Sequence, residues 1–129
     1  MLAITLWQPW ATLVAIGVKT IETRSWGTSY RGPLAIHASK RDLAYHEMIL
    51  FQDLLAGVIM PLGKIVATCE LVDVQRIDHS WAHLSHLERR LGDFSIGRYA
   101  WFLGPVELVD PPVPARGSQG LWNWDPNET

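Results

Sequence analysis

The run Gly63-Lys64-Ile65-Val66-Ala67-Thr68-Cys69-Glu70-Leu71-Val72-Asp73-Val74-Gln75-Arg76-Ile77 alternates as a strand should and then breaks its own rhythm. Ile65, Ala67, Cys69 and Leu71 recur at every second position between more polar partners, the period of a strand with one buried face. Val72 and Val74 then switch the phase. In so long a strand a phase switch predicts a bulge or bend, the device that turns barrel corners.

Upstream, Pro33 to Ala38 reads as a second core strand after a loop from Gly27 to Gly32, and Leu2 to Leu6 as an opening strand. Between them Pro9 suits the first turn of a helix, where its missing N–H costs nothing, and Gly17 ends that helix. Trp10, Leu13, Val14 and Gly17 keep helical spacing, and the other faces are hardly polar, so this short helix is expected to be buried. Lys19 to Arg24 alternates as a strand with Ile21 on one face and Glu22 and Arg24 on the other. Arg41 to Leu55 reads as an amphipathic helix with Leu43, Leu50 and Leu54 on its stripe, ended by Gly57.

Downstream, Trp81 to Leu91 contains a short helical segment. Arg98 to Leu103 and Val106 to Val109 form a strand pair or one strand broken at Gly104 and Pro105, and Gly120 to Trp124 closes the chain. Many strands with two or three inserted helices indicate an α+β domain, and the long bent strand favours a β-barrel of about five to six strands over a sandwich. No repeat or linker divides the sequence, so residues 1–129 are read as one domain.

Composition narrows the function classes. Nearly half of the 129 residues are apolar (48%) and under a fifth charged (19%), which excludes a disordered chain. Cys69 is the only cysteine, so no internal disulfide framework exists and a reducing, cytoplasmic setting is expected. Residues 1–18 carry no charged side chain, but Gln8 and Pro9 interrupt the stretch and it lacks a basic leader, so no membrane partner is expected. The formal charge of −2 argues against a strong non-specific DNA binder. Its distribution is lopsided: residues 1–41 carry five Lys and Arg against Glu22 alone, and the remainder six against twelve acids. That permits a local basic face fitted to a short anionic ligand.

Three segments together carry a resemblance: Leu6-Trp7-Gln8-Pro9-Trp10 with the following helix, Gly17-Val18-Lys19-Thr20-Ile21-Glu22-Thr23-Arg24-Ser25-Trp26, and Tyr30-Arg31-Gly32-Pro33-Leu34-Ala35-Ile36-His37-Ala38-Ser39-Lys40. They resemble the signature of the ASCH domain, of the PUA-like superfamily. Gly97-Arg98-Tyr99-Ala100-Trp101 and the ending Arg116-Gly117-Ser118-Gln119-Gly120-Leu121-Trp122-Asn123-Trp124 resemble its bacterial and phage members, so the likeness covers nearly the whole chain. The resemblance implies a PUA-like β-barrel with a cleft between the first helix and the barrel, and RNA, a modified nucleoside or single-stranded nucleic acid as partner. It implies no cofactor. Some small members hydrolyse the amide of acetylcytidine with a lysine and a threonine in Gly-x-Lys-x-x-Thr plus a later glutamate. Lys19 matches the lysine, Glu22 stands where the threonine would be, and Glu70 is the candidate for the later acid. Other members are linked to ribonuclease activity, for which His37 is the acid or base to consider, with Lys40 beside it.

Residue chemistry adds the rest of the candidate site. Lys19, Glu22 and Arg24 form a charged cluster only if Lys19 lies in the turn after Gly17, because in a regular strand it would face with Ile21. A plain Glu22–Arg24 ion pair beside a solvated lysine is the bland alternative. Trp7, Trp10 and Trp26 flank the motif and offer stacking surfaces for bases, whereas Trp101, Trp122 and Trp124 sit in packing contexts. Gln8 has an amide that can read a base edge. Arg31, His37, Ser39, Lys40, Arg116 and Ser118 are candidate phosphate or ligand contacts, with a hydrogen-bonded structural role the competing account of His37. His79, His83 and His86 lack an acidic or cysteine partner at ligand spacing, so no metal site is expected.

Overall fold

The computed structural model describes residues 1–41 and 45–127. Seven strands and four helices are formed among these residues, the strands being β1 (Leu2–Leu6), β2 (Ile21–Arg24), β3 (Gly32–Ala38), β4 (Lys64–Arg76), β5 (Tyr99–Leu103), β6 (Glu107–Pro114) and β7 (Leu121–Asn123). The helices, all short, are α1 (Trp10–Ala15), α2 (Tyr45–Leu50), α3 (Gln52–Leu55) and α4 (His86–Arg90), with a 3-10 turn at His79–His83. Among the described residues no helix is long and apolar enough to cross a membrane.

The strands make one mixed sheet in the order β2-β5-β4-β3-β1-β7, with β6 also paired to β4. β3 lies at its centre, parallel to β1 and antiparallel to β4, and Leu34 to Ala38 are all buried. A strand covered on both faces reads as a continuous apolar run, which is why β3 shows no alternation. β4 alternates from Ala67 to Leu71, but not from its start: Ile65 and Val66 are both buried, in different clusters, where the register against β6 shifts between Ile65 and Ala67. Its register against β5 then slips between Leu71 and Asp73, leaving Val72 outside and turning Val74 to the core. That is the predicted bulge.

The expected barrel of five or six strands is corrected to an open seven-stranded sheet, since β2 and β7 end the path and do not pair. The bend in β4 does bring β2 back toward β1, close enough for Arg24 Nη2 to donate to the Thr5 carbonyl at 2.8 Å. Side chains, however, occupy the seam where ladder hydrogen bonds would have closed a barrel. The expected β5–β6 pair is likewise replaced, because both strands lie along β4 and not along each other.

α1 has only six residues and could not persist alone in water, so burial must hold it. Ala11 to Ala15 are all buried, and fully burying Leu13 and Val14 contributes roughly 1.5–3 kcal/mol each. The stripe expected on residues 41–55 is also corrected. Leu43 lies outside the described residues, Leu50 is exposed, and the chain breaks at Phe51 into α2 and α3, so that Phe51 and Leu55 reach the core instead. Phe51 sets its edge against Trp10, with ring centroids 5.0 Å apart, which fixes the wall of the site described next.

Candidate nucleic-acid interface

Lys19 lies in the turn that follows α1, where Gly17 adopts φ +81° and the Val18 and Lys19 amides both donate to the Leu13 carbonyl. The turn frees Lys19 from strand alternation and sends its side chain inward, only 2% exposed. Its ammonium donates to the carbonyls of Ile21 (2.7 Å) and Leu91 (2.6 Å) and stands 3.7 Å from Glu22 Oε1. Burial lowers its proton affinity, and Glu22 and Glu88 oppose that shift. Glu22 Oε2 is 3.4 Å from Arg24 Nε, so the three charges form one cluster.

Around that cluster opens a cleft with two lobes. The first, of about 530 Å3, includes Trp10, Lys19, Glu22, Arg24, Trp26, Arg90, Asp93 and Arg98 in its lining. The second, of about 760 Å3, includes His37, Ser39, Lys40, Arg116 and Ser118. Thr5, Trp7, Arg24 and Trp26 line both and form the waist between them. Among the described residues, six Lys and Arg side chains and two carboxylates line the two lobes, on a chain whose formal charge is −2.

Trp7 is 56% exposed, with the Arg41 guanidinium 3.6 Å from its ring centroid. Trp26 is anchored from behind by Trp101, whose indole N–H donates to the Trp26 carbonyl at 3.2 Å. His37 is spent on structure. Its Nε2–H donates to the Ala115 carbonyl at 2.8 Å, because a carbonyl can only accept. Nδ1 therefore accepts from the Thr5 hydroxyl at 3.1 Å, and that hydroxyl accepts from the Trp122 indole at 3.0 Å. Burial holds the imidazole pKa below 6.5.

Three sequence-derived candidates lie outside the cleft. Gln8 is buried and uses both ends of its amide internally, accepting from the Thr12 amide and donating to the Pro61 carbonyl, so it braces α1. Arg31 bonds the carbonyls of Thr28 and Tyr30 and reaches Asp73 at the β4 bulge. Glu70 alternates with the buried Cys69 and Leu71, so it faces out from β4, away from Lys19. The Cys69 thiol is pushed up to about 11 by burial, which keeps it unreactive. Of the histidines weighed as metal ligands, His79 and His86 fall on the 3-10 turn and α4, and the His83 side chain lies outside the described residues.

Sequence reasoning missed Asp93 and Arg98, which pair at 3.5 Å while Arg98 also donates to the Thr23 carbonyl. Arg98 carried a signal, since it belongs to the Gly97–Trp101 string. Gly117 was missed as well. A Cβ there would lie 2.7 Å from His37 Cε1, His37 Nδ1 and Thr5 Oγ1, so the loop presses its backbone onto β1 and β3. Gly117→Ala is therefore expected to lift the loop and destabilise the fold by about 1–3 kcal/mol. An unchanged melting temperature would contradict that packing.

A family model described as the ASCH domain matches residues 4–109. The chain belongs to the ASCH-domain family. ASCH from Zymomonas mobilis superposes with a TM-score of 0.60 at 17% identity, over 97% of this chain and 87% of that one. A tyrosine-to-phenylalanine variant of that protein gives 0.60 at 16% identity, covering 97% and 90%. A serine-to-alanine variant gives 0.59 at 17%, covering 97% and 88%. Such identities speak for the fold alone, which is that of the ASCH domain and PUA-like. No curated protein sequence matches the chain significantly. In this ASCH domain the cleft sits at the open seam of the sheet, between the end of β1 and Glu22, Thr23 and Arg24 of β2.

Proposed function

We propose that this ASCH domain is a cytoplasmic binding module whose cleft holds a nucleobase or a short stretch of RNA. The observation that carries the reading is the excess of six cations over two carboxylates around a waist walled by Trp7 and Trp26. Single-stranded RNA is bound by that combination, with cations tracking phosphates and indole faces stacking on bases. A net-acidic chain that gathers its cations at two tryptophans favours a short anionic ligand over a long duplex. The family's general likeness to RNA-binding domains points the same way.

Trp7 is the residue to test, because it is exposed and its loss leaves the core intact. Titration of a short single-stranded RNA into Trp7→Ala is expected to give a dissociation constant about tenfold weaker than wild type, in line with base stacking worth roughly 1–3 kcal/mol. Wild-type affinity should also fall as salt rises. Equal affinity of variant and wild type would remove stacking at the waist from the account.

The competing reading is an enzyme that hydrolyses an acylated cytidine or cuts RNA, and the Lys19–Glu22 contact is what favours it. Lys19 has given hydrogen bonds to two carbonyls, so it would supply a fixed positive charge beside Glu22 and not a nucleophile. His37, with both nitrogens engaged, is poorly placed to move protons for RNA cleavage. Cytidine release from acetylcytidine by the wild type would put the hydrolase reading in front.

A further inference from the structure

The two lobes differ in charge. The lobe under Trp10 mixes its cations with Glu22 and Asp93, whereas the lobe beside the Arg116–Gly120 loop has no carboxylate in its lining among the described residues. Composition does not force that contrast, because the chain has more acids than Lys and Arg, 13 against 11. Elsewhere it pairs its arginines, Arg31 with Asp73, Arg90 with Asp53 and Arg98 with Asp93. Lys40 and Arg116 have no acidic partner within 4.0 Å among the described residues.

The Lys40 stem crosses Gly63 so closely that a Cβ there would sit 2.8 Å from its Cγ. The backbone beside Arg116 is set by the close approach of the next residue, Gly117, to His37 and Thr5, and the Arg116 side chain is exposed at the lobe. Burial, and to a lesser extent the Lys40 charge, lower the His37 pKa against the opposing effect of the Ala115 hydrogen bond, which disfavours a charge on that ring. Ser39 and Ser118 add hydroxyls to the same lining. Cations sharing one lobe without a counter-ion repel each other, and a tetrahedral oxyanion relieves that repulsion while accepting their hydrogen bonds.

We infer that the carboxylate-free lobe is a phosphate subsite, so that the unit recognised is a nucleotide with its base toward Trp7 and Trp26, and not a free base or nucleoside. The inference rests on the base-binding reading above. A terminal phosphomonoester and an internucleotide phosphodiester share the required chemistry, and the two are separated by the choice of probe.

The test is calorimetric titration of wild type and of the Lys40→Ala/Arg116→Ala double variant. Each receives the four nucleosides, their 5′-monophosphates, dinucleoside monophosphates without a terminal phosphate, and a short RNA. In the wild type the phosphate is expected to tighten binding about tenfold over the matching nucleoside. The double variant should lose that increment, so that nucleotide and matching nucleoside bind it alike, its thermal melt confirming that it folds. A dinucleoside as tight as a monophosphate places a phosphodiester in the lobe, and a weaker one places a monoester. Equal affinity for nucleoside and nucleotide, or an increment that survives in the double variant, overturns the subsite. RNA binding without measurable binding of any mononucleotide at millimolar concentration also overturns it, leaving the base-binding reading intact. If no nucleoside, nucleotide or RNA binds, both fall together.

Discussion

Lys19→Met is expected to lower the stability of this domain by about 3 kcal/mol, or its melting temperature by about 10 °C, although it removes a charge from a buried site. Two effects compete. Methionine spares the cost of keeping an ammonium out of water, the same cost that depresses the Lys19 pKa. Against that, the carbonyls of Ile21 and Leu91 lose a donor at 2.7 and 2.6 Å, and Glu22 loses the cation 3.7 Å from its Oε1, keeping only Arg24. Leaving buried acceptors unpaired costs about 1–3 kcal/mol each, so the second effect wins. The linkage to pH provides an independent readout. Folded protein holds the Lys19 proton less firmly than the unfolded chain, so between the lowered value and 10.5 the unfolded state binds more protons and stability rises with pH. The variant should lack that rise. Differential scanning calorimetry from neutral to alkaline pH measures both, and a variant as stable as wild type at neutral pH would mean that the desolvation cost cancels the bonds.

The position of Lys19 also shows where sequence stops being legible. Short apolar runs located β1 and β3, and the change of phase after Leu71 located the β4 bulge, because each strand's pattern is set by which of its own faces is buried. Pairing partners are not written in that pattern. The parallel β1–β3 ladder needs a crossover through α1 and β2, and β5 and β6 could have paired with each other as easily as with β4. The open seam was hidden for the same reason, since no local signal reports that β2 stops short of β1. Break points inside helices were hidden too: the break at Phe51 leaves Leu50 exposed and buries Phe51 and Leu55, with Leu54 of the expected stripe packed against them.

Within the cleft, charge asymmetry was the informative signal. Lys19, Arg24 and Lys40 from the basic first third all reach the lining, and Arg41 covers Trp7. Arg31 does not, because its loop turns it toward Asp73. Alternation by itself could have excluded Glu70, whose neighbours Cys69 and Leu71 were read as core. Gln8 could not have been excluded that way, since the partners of a buried amide depend on the path of residues fifty positions away. Arg98 and Asp93 reach the cleft only through the fold of the segment between α4 and β5.

Trp101→Ala is expected to have the largest effect of any single change in this chain, about 3–5 kcal/mol. The indole is fully buried on β5, opposite Glu22 of β2 and Val74 of β4, so the void would open where three strands meet. A small domain has only about 5–15 kcal/mol of net stability, and losing this much approaches the threshold of unfolding. Trp101→Phe separates packing from the hydrogen bond. It keeps a ring against Trp26 but removes the N–H that holds the Trp26 carbonyl, and should cost roughly 1–3 kcal/mol for that unpaired group alone. Urea titration resolves the two, with a lower midpoint at unchanged slope in the phenylalanine variant and a further drop in the alanine variant. The consequence for the cleft follows from the same geometry. Trp26 forms part of the waist and is anchored from behind by Trp101, so at temperatures where Trp101→Phe is fully folded it should still bind RNA more weakly than wild type. Wild-type affinity in that folded variant would show that the waist does not depend on its support, and that Trp26 belongs to the core alone.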